Sequence, residues 1–170
     1  MDRKVIDEMS EEAWGKLATQ YKVTLEELKE KAIQHAVERS AAIADKAAPT
    51  ANENNCIDFD EEIPLPPPIG VAVSLQVSGK VCMDTDSDKW QGNGKVCVNP
   101  IIGDPTCGSL EINNEKIEGE VTLNPGGAIG SMQMKVGFNP QSQCVYTRGE
   151  LKGPLDVHLA SLDRDNLVCF

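Results

Sequence analysis

From Val71 onward the hydrophobic period of the chain becomes two, and this limits what it can fold into more than any other feature. Val71, Val73, Leu75 and Val77 alternate with Ala72, Ser74, Gln76 and Ser78, which puts the apolar set on one face of an extended strand. The alternation returns with Ile117, Val121 and Leu123, with Met132, Met134, Val136 and Phe138, and with Leu155, Val157 and Leu159. Turn signals separate these runs: Asn113-Asn114, Asn124-Pro125-Gly126-Gly127, Asn139-Pro140 and Gly153-Pro154. About eight short strands at this spacing, with no useful helix between them, predict a mainly β domain over 71–170, either an antiparallel β-sandwich or a small barrel.

The first 48 residues carry a different period. Thr24-Leu25-Glu26-Glu27 fits a capping box, and Leu25, Leu28, Ala32, Ala36, Ile43 and Ala47 then recur at three- and four-residue steps. A shorter helix around Glu11–Gln20 carries Trp14, Leu17 and Ala18, so the segment is expected to form a helix–turn–helix appendage to the β domain. Its narrow apolar stripe needs cover, which nominates Trp14, Leu17, Leu25, Leu28, Ala32 and Ala36 for docking on a partner or for self-association. The phrase from Trp14 to Ala32 resembles small helical modules, among them DNA-binding helix–turn–helix units and the second half of LysM repeats. The resemblance implies a compact helical pair. Its second helix carries Glu26, Glu27, Glu30 and Glu38, where a reader of DNA wants arginine.

Between these parts, residues 49–70 begin polar, turn acidic and end in Pro64, Pro66, Pro67 and Pro68, which predicts a semi-rigid linker. The net charge of −11 has no basic segment to offset it, so a phosphate backbone is repelled and nucleic acid is excluded as a partner. No apolar run approaches the roughly 20 residues of a membrane helix, and no membrane span is expected.

All six cysteines, Cys56, Cys82, Cys97, Cys107, Cys144 and Cys169, follow the helical part. An even count without a C-x-x-C motif points to disulfides over zinc or redox chemistry, and so to an extracytoplasmic setting. Against this, the N-terminus lacks the apolar core of a signal peptide, which leaves the compartment unknown. Cys82 and Cys97 stand in matched surroundings, Gly79-Lys80-Val81-Cys82-Met83 and Gly94-Lys95-Val96-Cys97-Val98. In one hairpin reversing at Gly92-Asn93-Gly94 both thiols fall on the same face, so Cys82–Cys97 is the expected staple, contributing about 3 kcal/mol. The remaining four cysteines have no assignable partners.

Candidate chemistry is sparse. Asp84, Asp86 and Asp88 alternate as in a calcium loop, but Lys89 and Lys95 take the positions where an EF-hand needs glycine and glutamate. Asp156 and His158 share a strand face and form a weak acid–imidazole candidate, with Ser161 or Cys144 as nucleophile, though no elbow motif marks one. No P-loop or dinucleotide fingerprint is present, and no cofactor is expected. The sequence thus favours a non-catalytic binding or structural β-domain protein, with a protein partner or self-association through the helices. The alternatives are a small β-barrel enzyme acting on a small-molecule ligand in its mouth, or a precursor whose helical segment is a leader.

Overall fold

In the computed structural model, residues 6, 9–44, 55–84, 86–87, 89–126, 129–153 and 157–170 are described, with the backbone alone at 39, 40 and 42–44. The first helix, α1 (Glu11–Tyr21), begins at Ser10, whose hydroxyl accepts the Ala13 amide at 3.2 Å. It stops at Lys22, which turns left-handed at φ 55° and donates its amide to the carbonyls of Ala18 and Thr19. Thr24 starts α2 (Leu25–Ala44), its hydroxyl accepting the Glu27 amide at 3.2 Å as the capping box predicts. An ion pair of 2.7 Å between Lys29 and Glu11 spans the two helices.

Among the described residues nine strands form two antiparallel sheets. The first sheet runs β1 (Cys56–Ile63), β2 (Val73–Asp84), β3 (Lys89–Pro100), β4 (Thr106–Asn113), in that spatial order. The second runs β5 (Glu118–Leu123), β6 (Ser131–Asn139), β7 (Cys144–Lys152). The free side of β7 is shared by β8 (His158–Ser161) on one half and β9 (Arg164–Cys169) on the other. A one-turn helix, α3 (Ile69–Ala72), leads into β2. The fold is therefore mainly β, a two-sheet sandwich with an N-terminal helical pair, and the sheets remain two rather than closing into one barrel.

The period-two pattern accounts for the core. Leu75, Val77, Val81 and Val96 from the first sheet meet Met134, Val136, Val145 and Leu151 from the second, and all eight are completely buried. Trp90 and Phe138 bridge the sheets with ring centroids 4.9 Å apart, and Phe170 closes the stack edge-on against Phe138 at 5.9 Å. The helices join this same core through Trp14, Leu17, Leu28 and Ala32.

Four boundaries differ from expectation, one of them at Val157, which precedes β8 and stays 58% exposed, while Leu155 of the same expected strand lies outside the described residues. The acidic linker contains β1, an integral edge strand whose Ile57, Phe59 and Ile63 are buried while Asp58 and Asp60 face out. Acids on an edge strand discourage pairing with another chain, and here they disguise the strand as a spacer. Val71 lies in α3 and not in a strand, because the chain coils once after the prolines before β2 begins. Ile117 precedes β5 and stays 53% exposed, so it does not belong to the core set that its alternation suggested.

Candidate functional site

The outward face of the first sheet is a polar grid set by strand register. Directly opposed residues form four rows: Cys56–Cys82–Gln91–Asn113, Asp58–Lys80–Asn93–Glu111, Asp60–Ser78–Lys95–Ser109, and Glu62–Gln76–Cys97–Cys107. Lys80 reaches Asp58 at 3.6 Å and the Gln76 amide donates to Asp60 at 2.6 Å, so adjacent columns are also tied through side chains. Two shallow hollows of about 340 and 570 Å³ lie on this face and share Asn93 and Glu111.

Disulfides occupy opposite corners of the grid. Cys56 bonds Cys82 and Cys97 bonds Cys107, with Cα separations of 4.0 and 4.1 Å, while Cys144 bonds Cys169 at 4.0 Å between β7 and β9. Each joins directly opposed residues of neighbouring antiparallel strands. Both predicted cysteines are thus cross-linked, but the expected Cys82–Cys97 bond is not the one formed. Gly79 stands directly opposite Gly94, so the two Gly-Lys-Val-Cys runs proceed in opposite directions from that rung. Cys82 and Cys97 end six rungs apart, about 20 Å along the ladder. The expected register was wrong by an even number of residues, which keeps both thiols on the outward face while ruling out their union.

The misplaced element is the turn. Gly92 and Gly94 lie within β3, and the chain reverses between Asp84 and Lys89, which oppose each other. Asp84 builds this reversal: its carboxylate accepts the Asp86 amide at 3.0 Å and the Ser87 hydroxyl at 2.5 Å. The Ser87 hydroxyl foremost, then the Asp86 amide, hold the Asp84 carboxyl below its usual range. Asp84 and Asp86 are therefore turn residues at a solvent-exposed tip, and Asp88 lies outside the described residues. Among the described residues no group of three ligating side chains could hold a metal ion.

The catalytic candidates separate. His158 is exposed, with Nε2 3.3 Å from the Ser161 hydroxyl, and Asp156 lies outside the described residues. Cys144 is disulfide-bonded and offers no thiolate. A histidine and a serine do meet here, on an open edge of the second sheet rather than in a barrel mouth.

The docking candidates are mostly covered by their own chain. Trp14, Leu17, Leu28, Ala32 and Ala36 are all buried, and Leu25 is half-buried against the core. The stripe expected to meet a partner closes on the helical pair and the sandwich, because α1 packs on α2, α2 on α3, and their buried residues join the common core. Among its described side chains α2 leaves open two large apolar residues outside the predicted stripe: Ile33 is 37% and Val37 61% exposed. Each follows a buried alanine by one residue, about 100° further round the helix. Their i, i+4 spacing is legible in the sequence once the buried stripe is known.

No protein family, curated protein or solved structure matches this chain.

Proposed function

We propose that the protein is a non-catalytic binding or structural β-domain protein in which the helical pair carries the contact to a partner or to a second copy. The observation that carries this reading is the exposed Ile33–Val37 pair on α2, beside Leu28, Ala32 and Ala36, which are buried. Two apolar anchors one turn apart are what a helix presents to a hydrophobic groove. The pair is small beside the roughly 1,200–2,000 Å² that a stable interface buries, so the contact it supports is weak or is completed by neighbouring polar surface. The packed sandwich core and the exposed setting of His158 weigh on the same side, since neither offers a secluded site for catalysis.

Sedimentation of the full chain and of Val37→Glu over a wide concentration range tests this reading. A concentration-dependent dimer that the substitution abolishes supports self-association through α2. A chain that stays monomeric moves the contact to a different protein. Hydrolytic turnover that Ser161→Ala eliminates would overturn the non-catalytic reading.

A further inference from the structure

The three disulfides are not equivalent in what they hold. Cys56–Cys82 ties edge strand β1 to β2 at the end away from their connection, 26 residues apart in sequence. Cys144–Cys169 ties the C-terminal strand β9 to β7 across 25 residues, beside the Phe170 ring that packs on Phe138. Cys97–Cys107 is different. It spans 10 residues, and β3 and β4 are already joined at that end by the short connection 101–105. They are also held by eight consecutive antiparallel rungs, from Val98–Thr106 to Gln91–Asn113, as many as hold β1 to β2. A cross-link over a short loop removes the least entropy from the unfolded chain, so this bond adds least to the fold.

Its position is also open to a thiol. Cys107 is exposed on edge strand β4, on the outward face of the sheet, and of the other two disulfides only Cys144–Cys169 has an exposed cysteine, Cys169. Lys95 shares that face two positions from Cys97, and a lysine on the face of a leaving thiolate favours its departure. At Cys56–Cys82 the same spacing puts Lys80 two positions from Cys82, but that lysine is ion-paired at 3.6 Å with Asp58, which stands two positions from Cys56. Exposed disulfides are the exchangeable ones, and of the two with an exposed cysteine this one closes the shorter loop, which makes it the bond the fold can most readily do without.

We propose that Cys97–Cys107 is a reversible thiol–disulfide exchange site, opened by a dithiol reductant while the other two disulfides stay closed. The reductant's thiolate attacks the Cys107 sulfur and forms a mixed disulfide. The Cys97–Cys107 bond breaks, and its electron pair departs on Cys97 sulfur, which takes a proton from water. The reductant's second thiolate then attacks its own sulfur in the mixed disulfide and releases Cys107 as a thiolate that is protonated in turn. Two electrons and two protons pass to the protein, and the reductant leaves as a cyclic disulfide. This step is independent of the helical contact proposed above.

Graded incubation of the oxidised full chain with dithiothreitol, followed by alkylation and peptide mass analysis, tests the proposal. Cys97 and Cys107 should be alkylated together at about tenfold lower reductant than the other four cysteines, with the near-ultraviolet dichroism unchanged. Reoxidation with oxidised glutathione should restore the same pair. Reduction of all three bonds in one step, or of Cys144–Cys169 first, would overturn it. The Cys97→Ser/Cys107→Ser double variant gives an independent check, since it should fold with a native spectrum. A variant that does not fold would contradict the claim that the bond is dispensable.

Discussion

Gly79 and Gly94 face each other across the β2–β3 ladder, and this one rung decides which cysteines can meet. The Phe59 ring, directly opposite Gly79 on β1, lies in the space a side chain there would fill, so a Cβ at Gly79 would collide with it and with the Asn93 carbonyl. The rung is thereby fixed by packing as well as by hydrogen bonds. From it the repeated Lys-Val-Cys runs diverge, which places Cys82 beside β1 and Cys97 beside β4.

Loss of the C-terminal staple should destabilise the sandwich more than its exposed position suggests. The Cys144→Ser/Cys169→Ser variant is expected to lose about 3 kcal/mol in urea denaturation, from the loop it no longer closes. An unchanged midpoint would show that β9 is held by its ladder and by Phe170 alone.

Trp90 is the ring that joins the two sheets, buried and in contact with Phe138. Trp90→Ala should cost about 3–5 kcal/mol, read as a lowered denaturation midpoint with Trp14 left as the reporter. A loss under 1 kcal/mol would mean that the sheets do not meet at this contact.

Thr147 is completely buried on β7, directly opposite Val136, and its hydroxyl has no partner among the described residues. Thr147→Val keeps the shape and removes the orphan group, so it should raise stability by about 1 kcal/mol. A destabilised variant would indicate a hydrogen bond to that hydroxyl.

At the hairpin tip, the Asp84 carboxyl is held low by Ser87 and the Asp86 amide. A carboxyl lowered in the folded state contributes stability above its usual value of 3.8, and that contribution disappears as pH falls through the folded value. Carboxyl NMR titration should therefore place the Asp84 midpoint below 3.8, and Ser87→Ala should move it back toward that value. An ordinary midpoint in both proteins would dissolve the turn geometry.

Much of the fold was legible in local patterns. The Met132–Phe138 alternation becomes the buried face of β6, and Thr24 caps α2 as its spacing implies. Cys82 and Cys97 were assigned to the correct face because a side-chain period of two survives any even register error. The register itself was not legible, because Gly92-Asn93-Gly94 carries a stronger turn signature than Asp84 to Lys89. The turn there depends on a side chain folding back on its own backbone. β1 was hidden for another reason. Its outward residues are acids suited to an edge, and Glu61 interrupts the apolar set of Ile57, Phe59 and Ile63. The proposed contact depended on tertiary burial: only once Ala32 and Ala36 are packed do Ile33 and Val37 emerge as large apolar residues left outside.

The register of the first sheet determines which cysteines can pair, so the disulfide map reads it out. Proteolysis of the unreduced chain with alkylation of any free thiol, followed by mass analysis, should yield linked peptides pairing Cys56 with Cys82, Cys97 with Cys107 and Cys144 with Cys169. A peptide joining Cys82 to Cys97 would contradict it, since that bond requires the ladder to slip by six residues and Gly79 to leave Gly94.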